Sequence, residues 1–382
     1  MTTTPYPAEL VPKARPHVVL RGQSIPVVLP KLGDPRLKLS ATIFTLTFLG
    51  LFVLNFQVSI PQILLSVLMC AFIEIAVTFR REQILVWPAS AIQTGVSIAF
   101  IFRVGGTENG DWWSVRGLQF FALVVGIALL AKYVLRRNGR HVFNPSNIGI
   151  TWGLLLIGPS YVFSEHLWWA PLGASMVITM IVIFAGAFWV LRQVKMIAMT
   201  ATFLGTFAVL IAIFAVAGQE YYATWHEGPV SGFFFWSSIA FSPELLIFVF
   251  FMTTDPQTAP KSPRGRIIYA VATATLAAGL IAIQTTEFGI KVAILSSLMA
   301  TCALVPTFER LARRLEQRRE GVEVAPRPAR PPLGSRLVAT FRDPVLAAVV
   351  VIAIAAPVNT ALLARDPSII LIEQGLTTRN VQ

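Results

Sequence analysis

Cysteine, histidine and charge are all scarce in this chain, and each scarcity removes a class of function. It has two cysteines in 382 residues, Cys70 and Cys302, both inside long apolar runs. Two such residues make neither a disulfide framework nor a four-thiolate cluster. The four histidines, His17, His141, His166 and His226, are scattered over the N-terminal arm and the gaps between runs, so no metal site is apparent. Charged residues are 13% of the sequence against 55% hydrophobic, and the mean hydropathy is +0.68. That balance excludes an ordinary soluble globular domain. A charged segment followed at once by a short apolar, cleavable one is also missing. Residues 1–37 are basic and Pro-rich instead, and read as a cytoplasmic arm.

What the chain has in abundance is apolar runs of about 20 residues, the length that crosses a bilayer core. They lie near 38–56, 58–78, 84–102, 116–135, 145–163, 168–191, 196–217, 232–254, 266–284, 288–308 and 344–364. Of the 31 Lys and Arg, all but Arg103, Arg116, Lys291, Arg365 and Arg379 fall in the N-terminal arm, in the even-numbered gaps or at the run ends that border them. Cytoplasmic loops carry such an excess of positive charge. The expected topology is a multi-pass protein of the bacterial cytoplasmic membrane, with the N-terminus cytoplasmic and the C-terminus external. The net charge of +12 sits in short loops rather than on one folded face. It points to membrane lipid as a partner and not to nucleic acid.

The expected fold is an all-α polytopic bundle of ten core helices in two pseudo-symmetric halves, with one helix appended at the C-terminus. Its parts are a basic arm (1–37), a transmembrane core (38–308), a cytoplasmic linker (309–342) and a final span with an external tail (343–382). Within the linker, Glu309–Glu320 has a charged helical pattern, and Ala325–Pro332 alternates Pro with Arg and Ala, which stiffens a chain. The gaps 104–115 and 218–231 hold Trp112, Trp113, Tyr221, Tyr222 and Trp225, residues that gather at the outer membrane interface.

Two Pro-interrupted polar segments lie at the cytoplasmic edge, one in each half. In Phe143-Asn144-Pro145-Ser146-Asn147, Asn144 suits an N-cap and Pro145 a first helical position. Helix amides there can meet an acceptor-rich ligand, or the segment can be a plain cap; Asn147, one turn further in, needs a partner in either case. In Met252-Thr253-Thr254-Asp255-Pro256 the proline ends a helix, and both threonines can bond preceding carbonyls or a ligand. Interrupted segments at matching positions of two halves point to a site in repeat-built membrane proteins. Arg140, Lys261, Arg264 and Arg266 flank these segments and suit a phosphate or a partner protein. Glu74 and Glu244 fall within runs, where an ionised carboxylate costs about 2.5–3.5 kcal/mol or more unless it is paired. Ser90, Thr94 and Gly95 place small and hydroxylated residues at close-packing spacing.

Taken in order, Ser90-Ala91 with Thr94-Gly95, Phe143-Asn144-Pro145 and Phe251-Met-Thr-Thr-Asp-Pro256 resemble two membrane flavoproteins. These are the D component of the Rnf complex and the B component of the sodium-pumping NADH:quinone reductase. The Asp34-Pro35-Arg36 entry and the Asn-Pro-Ser-Asn form are most similar to a divergent branch of that family, found beside enediyne biosynthesis genes. The resemblance covers roughly residues 35–310. It implies a ten-span bundle of two five-span halves that passes electrons through flavin, within a larger electron-transfer complex. It implies FMN or riboflavin held non-covalently by Phe143, Asn144, Asn147, Ser90, Thr94, Thr253, Thr254 and Asp255. Members of the family carry Ser-Gly-Ala-Thr in an external loop for covalent FMN. Here the matching loop reads Ala223-Thr224-Trp225, and the nearest match, Leu39-Ser-Ala-Thr42, is at the cytoplasmic end of the first span. Covalent FMN is therefore not expected. A second reading keeps the duplicated scaffold without redox work, as a small-solute channel or transporter lined by Glu74 and Glu244.

Overall fold

The structure is a computed structural model that describes residues 16–20, 22–319 and 344–363. The Ala325–Pro332 stretch, residues 1–15 and the tail after residue 363 lie outside the described residues. The described chain forms two compact units that divide between Lys195 and Met196.

In the first unit the arm is not featureless. Strands β1 (His17–Leu20) and β2 (Gln23–Val28) form an antiparallel pair, and β2 continues in parallel onto β3 (Leu85–Val86). Helix α1 (Pro35–Phe52) starts at Asp34, which caps the Arg36 amide at 2.9 Å and holds the Arg36 guanidinium. Burial pushes the Asp34 carboxyl up, but the Arg36 bonds and charge outweigh it and hold its pKa below the usual value. Helix α2 (Ile60–Glu82) starts in a reciprocal capping box between Ser59 and Gln62. Its buried residues are Gln62, Ser66, Cys70 and Glu74, one per turn. Leu64, Leu68 and Phe72 are exposed. A helix that hides its polar face and shows its apolar one is built for lipid.

Helix α3 (Ala89–Ile101) has 13 residues and runs into the extended strand β4 (Phe102–Val104). Helix α4 (Leu118–Val134) ends in a tight hairpin of β5 (Arg136–Arg137) and β6 (Arg140–His141), turned by Asn138 and Gly139, both at positive φ. Helix α5 (Pro145–Ile157) also has 13 residues and is followed by β7 (Val162–Ser164), which pairs antiparallel with β4. Thirteen residues rise only about 20 Å, short of the ~30 Å hydrocarbon core. Two expected full spans, 84–102 and 145–163, are thus half-helices completed by extended chain. Backbone in that state must find partners inside the protein, and it does: besides the ladder, Gly105 donates to Tyr161 at 2.8 Å and Glu165 to Ile101 at 2.7 Å. Helix α6 (Ala174–Val194) closes the unit by packing on α1, where Gly186 leaves room for the Thr42 side chain.

In the second unit, α7 (Ile197–Val216) precedes a broken helix. Helix α8 (Gly232–Ala240) stops at Phe241, and Ser242-Pro243 starts α9 (Pro243–Ile247), which widens into a π-helical turn over Phe248–Met252. Helix α10 (Pro263–Ile281) is capped by Ser262. Helix α11 (Glu287–Arg319) is one continuous helix of 33 residues, joining the expected span 288–308 to the charged pattern after it and carrying Pro306 inside. Helix α12 (Pro344–Leu363) packs on α10 and α11.

Among the described residues, six helical stretches are long and apolar enough to cross a membrane: α2, α6, α7, Gly232–Met252, α10 and α11. Ala89–Ile101, Leu118–Val134, Pro145–Ile157 and Val349–Ala361 are shorter apolar helices. The chain is thus a mostly helical, multi-pass membrane protein, and the expected ten uniform core spans are not reached on length and apolarity.

Candidate cofactor-binding segments and buried ion pairs

The predicted site residues fall in both units, and most of their hydrogen bonds are local. In the first unit, Asn144 is the N-cap of α5. Its side-chain oxygen accepts from the Asn147 amide at 3.1 Å and from the Ser146 hydroxyl at 2.9 Å. Phe143, Asn144 and Asn147 are buried, and the Asn147 carbonyl accepts from the Thr151 hydroxyl at 2.7 Å. Asn144 thus caps α5, as its place before Pro145 suggests. Thr94 donates back to the Ser90 carbonyl at 3.0 Å.

Glu74 has a definite environment. One oxygen accepts from the Ala91 amide at 2.7 Å, in the first turn of α3, and the other from Lys132 Nζ at 2.9 Å. Lys132 also donates to the Ser90 hydroxyl at 3.1 Å. One carboxylate thus ties α2, α3 and α4 together at the end of a half-helix whose dipole favours negative charge. Lys132, one of the charges counted on the cytoplasmic side in the sequence, is buried here, at 8% exposure. The available signal is its place inside the run Leu129-Leu-Ala-Lys-Tyr-Val-Leu135.

A second buried pair has no forerunner in the sequence reading. Arg103, counted there as an external loop charge, is fully buried in β4. Its guanidinium bonds Glu165 at 2.7 Å and donates to the carbonyls of Ala99, Phe100 and Phe102 at 2.8–2.9 Å. It also lies over the Phe56 ring, 5.0 Å from its centroid. Arg103 thus serves as the C-terminal cap of α3, satisfying carbonyls that water cannot reach.

In the second unit, Thr253 and Thr254 donate to the carbonyls of Val249 and Phe250, at 2.8 and 2.5 Å, inside the π-helical turn. Asp255 accepts from the Gln257 amide at 2.9 Å, and its carbonyl accepts from the Thr258 and Ala259 amides. Glu244 lies in the first turn of α9. At the start of α10, the Glu309 carboxylate accepts from the amides of Lys261 and Ser262 at 2.5 and 3.0 Å and from the Ser262 hydroxyl at 2.7 Å. A helix N-terminus attracts an anion, and the chain supplies one itself. Arg264 pairs with Glu316 at 3.1 Å, and Arg266 donates to the Pro260 carbonyl at 3.0 Å. Lys291, counted as an external charge, is buried against Glu287 at 3.3 Å. Among the described residues no group of three or more His, Cys, Asp or Glu is placed to hold a metal.

Residues 159–316 match the model of the NQR2, RnfD, RnfE family. The match covers less than half of the chain; it includes the Thr253–Asp255 turn and stops short of Ser90–Thr94 and Phe143–Asn147. No curated protein matches the sequence.

Proposed function

We propose that this protein is the membrane component of a flavin-dependent electron-transfer system of the Rnf and sodium-pumping NADH:quinone reductase type, moving electrons within or across the bacterial cytoplasmic membrane. The observation that carries the reading is the family match over residues 159–316, which contains the Thr-Asp-Pro turn. The order of the three motifs along the chain supports the finer assignment, to the D component of Rnf, the B component of the reductase and the branch found with enediyne biosynthesis genes. Other proteins of such a complex are its partners.

The residues of the turn fit a flavin in a particular way. The hydroxyl hydrogens of Thr253 and Thr254 are committed to their own helix, so toward a ligand these oxygens act as acceptors. Asp255 is likewise an acceptor when ionised. An acceptor set suits the ring N–H and the ribityl hydroxyls, while Phe251 and Met252 supply apolar surface next to it. On this reading Thr253, Thr254 and Asp255 orient a non-covalent riboflavin or FMN in the second unit, while in the first unit Asn144 and Asn147 fix the start of α5. A bound flavin supplies one- and two-electron transfer, and the protein sets its position and potential. The Glu309 carboxylate at the start of α10 and the Arg264–Glu316 pair weigh against a phosphate at Lys261–Arg266, which favours riboflavin over FMN in this unit.

The channel reading draws less support, because both oxygens of Glu74 are engaged by Lys132 and the Ala91 amide rather than lining a polar path. Purified protein should show flavin absorbance that is released on denaturation. Protein that shows none, even after reconstitution with riboflavin and with FMN, would overturn the electron-transfer reading.

A further inference from the structure

The last turn of α2 carries Arg80 and Arg81, and α4 leads directly into Arg136 and Arg137 of the β5–β6 hairpin. Helices α2 and α4 pack on each other, and the Arg81 guanidinium lies over the ring of Tyr133, 5.8 Å from its centroid. Arg80, Arg81 and Arg136 are exposed, Arg137 is half-buried, and among the described residues none of the four forms an ion pair. The hairpin is rigidly turned: Asn138 and Gly139 both hold positive φ, and Arg136 donates to the Gly139 carbonyl across the turn. Directly before it, α4 exposes Leu123, Leu130 and Val134, while α2 exposes Leu64, Leu68 and Phe72.

We infer that this end of the α2–α4 pair is a binding site for an anionic phospholipid. The four guanidiniums meet the headgroup phosphate, and the exposed leucines, Val134 and Phe72 meet the acyl chains. The apolar faces favour a lipid over a free phosphate, and the guanidiniums suit the phosphate of its headgroup. The cations stand at the ends of helices whose outer faces are apolar over several turns, so a molecule with a charged head and long tails satisfies both surfaces at once. Guanidinium also forms planar two-point hydrogen bonds to phosphate oxygens, which an orientation signal alone does not require. The inference stands apart from the electron-transfer reading, since it needs no flavin.

The test uses the full chain, purified in a neutral detergent and then placed in nanodiscs of phosphatidylcholine with or without phosphatidylglycerol. Lipid retained through purification is identified by mass spectrometry, and affinity is read from the rise in melting temperature as phosphatidylglycerol is titrated. The expected result is that phosphatidylglycerol is retained and stabilises the wild type. Arg136→Gln with Arg137→Gln should bind it roughly tenfold to thirtyfold more weakly, at about one cation's worth of attraction for each Arg. Arg80→Gln with Arg81→Gln should give a similar loss, so the result does not depend on the hairpin folding in one variant. Inorganic phosphate and phosphatidylcholine should not substitute. Equal titration curves for wild type and both variants would overturn the proposal. Equal protection by free phosphate, or a basic end engaged only by an acidic protein with no lipid retained, would do so as well.

Discussion

Single residues in this protein act mostly by ending or tying helices, and their importance scales with how far they are from water. Glu74 and Lys132 form a buried pair with Ser90 and the Ala91 amide as further partners. Removing one member of such a pair strands the other charge, at a cost of about 3–5 kcal/mol. Lys132→Met should therefore lower the melting temperature of detergent-solubilised protein sharply. Glu74→Gln combined with Lys132→Met should recover much of that loss, because a neutral pair strands no charge. A double variant as unstable as the single one would mean that Glu74 has no thermodynamic tie to Lys132. At the same scale the Asn144-Pro145 cap was read from the sequence, and the same pattern, a short polar side chain before a proline at the first helical position, recurs unread at Asp34-Pro35, Ser242-Pro243 and Ser262-Pro263. The buried ion pairs were not legible. Arg103 and Glu165 stand 62 residues apart, each at the edge of an apolar run where a loop charge looks the same as a buried one.

Among whole elements, α2 and α3 show how closely helices can approach. A Cβ added at Gly95 would lie 2.5 Å from the Ser66 carbonyl oxygen, a backbone atom that cannot swing aside. Gly126 in α4 faces open space. Gly95→Ala should destabilise the protein, while Gly126→Ala should stabilise it by roughly 0.5–1 kcal/mol through helix propensity. Thermal unfolding of the two variants side by side checks this, and equal shifts would remove the close-approach argument. Hydropathy located the helices but neither the strands of the arm and the 136–141 hairpin nor the extended ends of two predicted spans. The segments 102–104 and 162–164 are Phe-Arg-Val and Val-Phe-Ser, apolar enough to extend a predicted span, yet they are strands. Only their mutual pairing decides that state, and pairing at this separation leaves no local signal. The run 232–254 was likewise read as one uninterrupted span, and Ser242-Pro243 breaks it.

For the molecule as a whole, the distribution of charge along the sequence still sets the expected orientation. A reporter fused after Gln382 should report from outside and one inserted near Ala325 from the cytoplasm; a common side for both would remove 344–364 as a span. Two of the five charges assigned to the outer side, Arg103 and Lys291, prove to be buried, which leaves fewer exceptions to the positive-inside pattern rather than more. The candidate site was legible as motifs, and the structure adds what each motif does locally: a cap at Asn144, an acceptor-rich turn at Thr253–Asp255.

The β4–β7 pairing also bears on how the first unit is made. A translocon releases helices into lipid as they are synthesised, and a complete helix can wait there because its backbone is already satisfied. The C-terminal end of α3 cannot, since Arg103 waits on Glu165 and β4 waits on β7. Until residue 165 has left the ribosome, that end of the nascent chain needs water, a chaperone or the insertion machinery to hold its open backbone groups. The C-terminal end of α3 thus gains its partners only once residue 165 has been made, and α6 joins the unit later still.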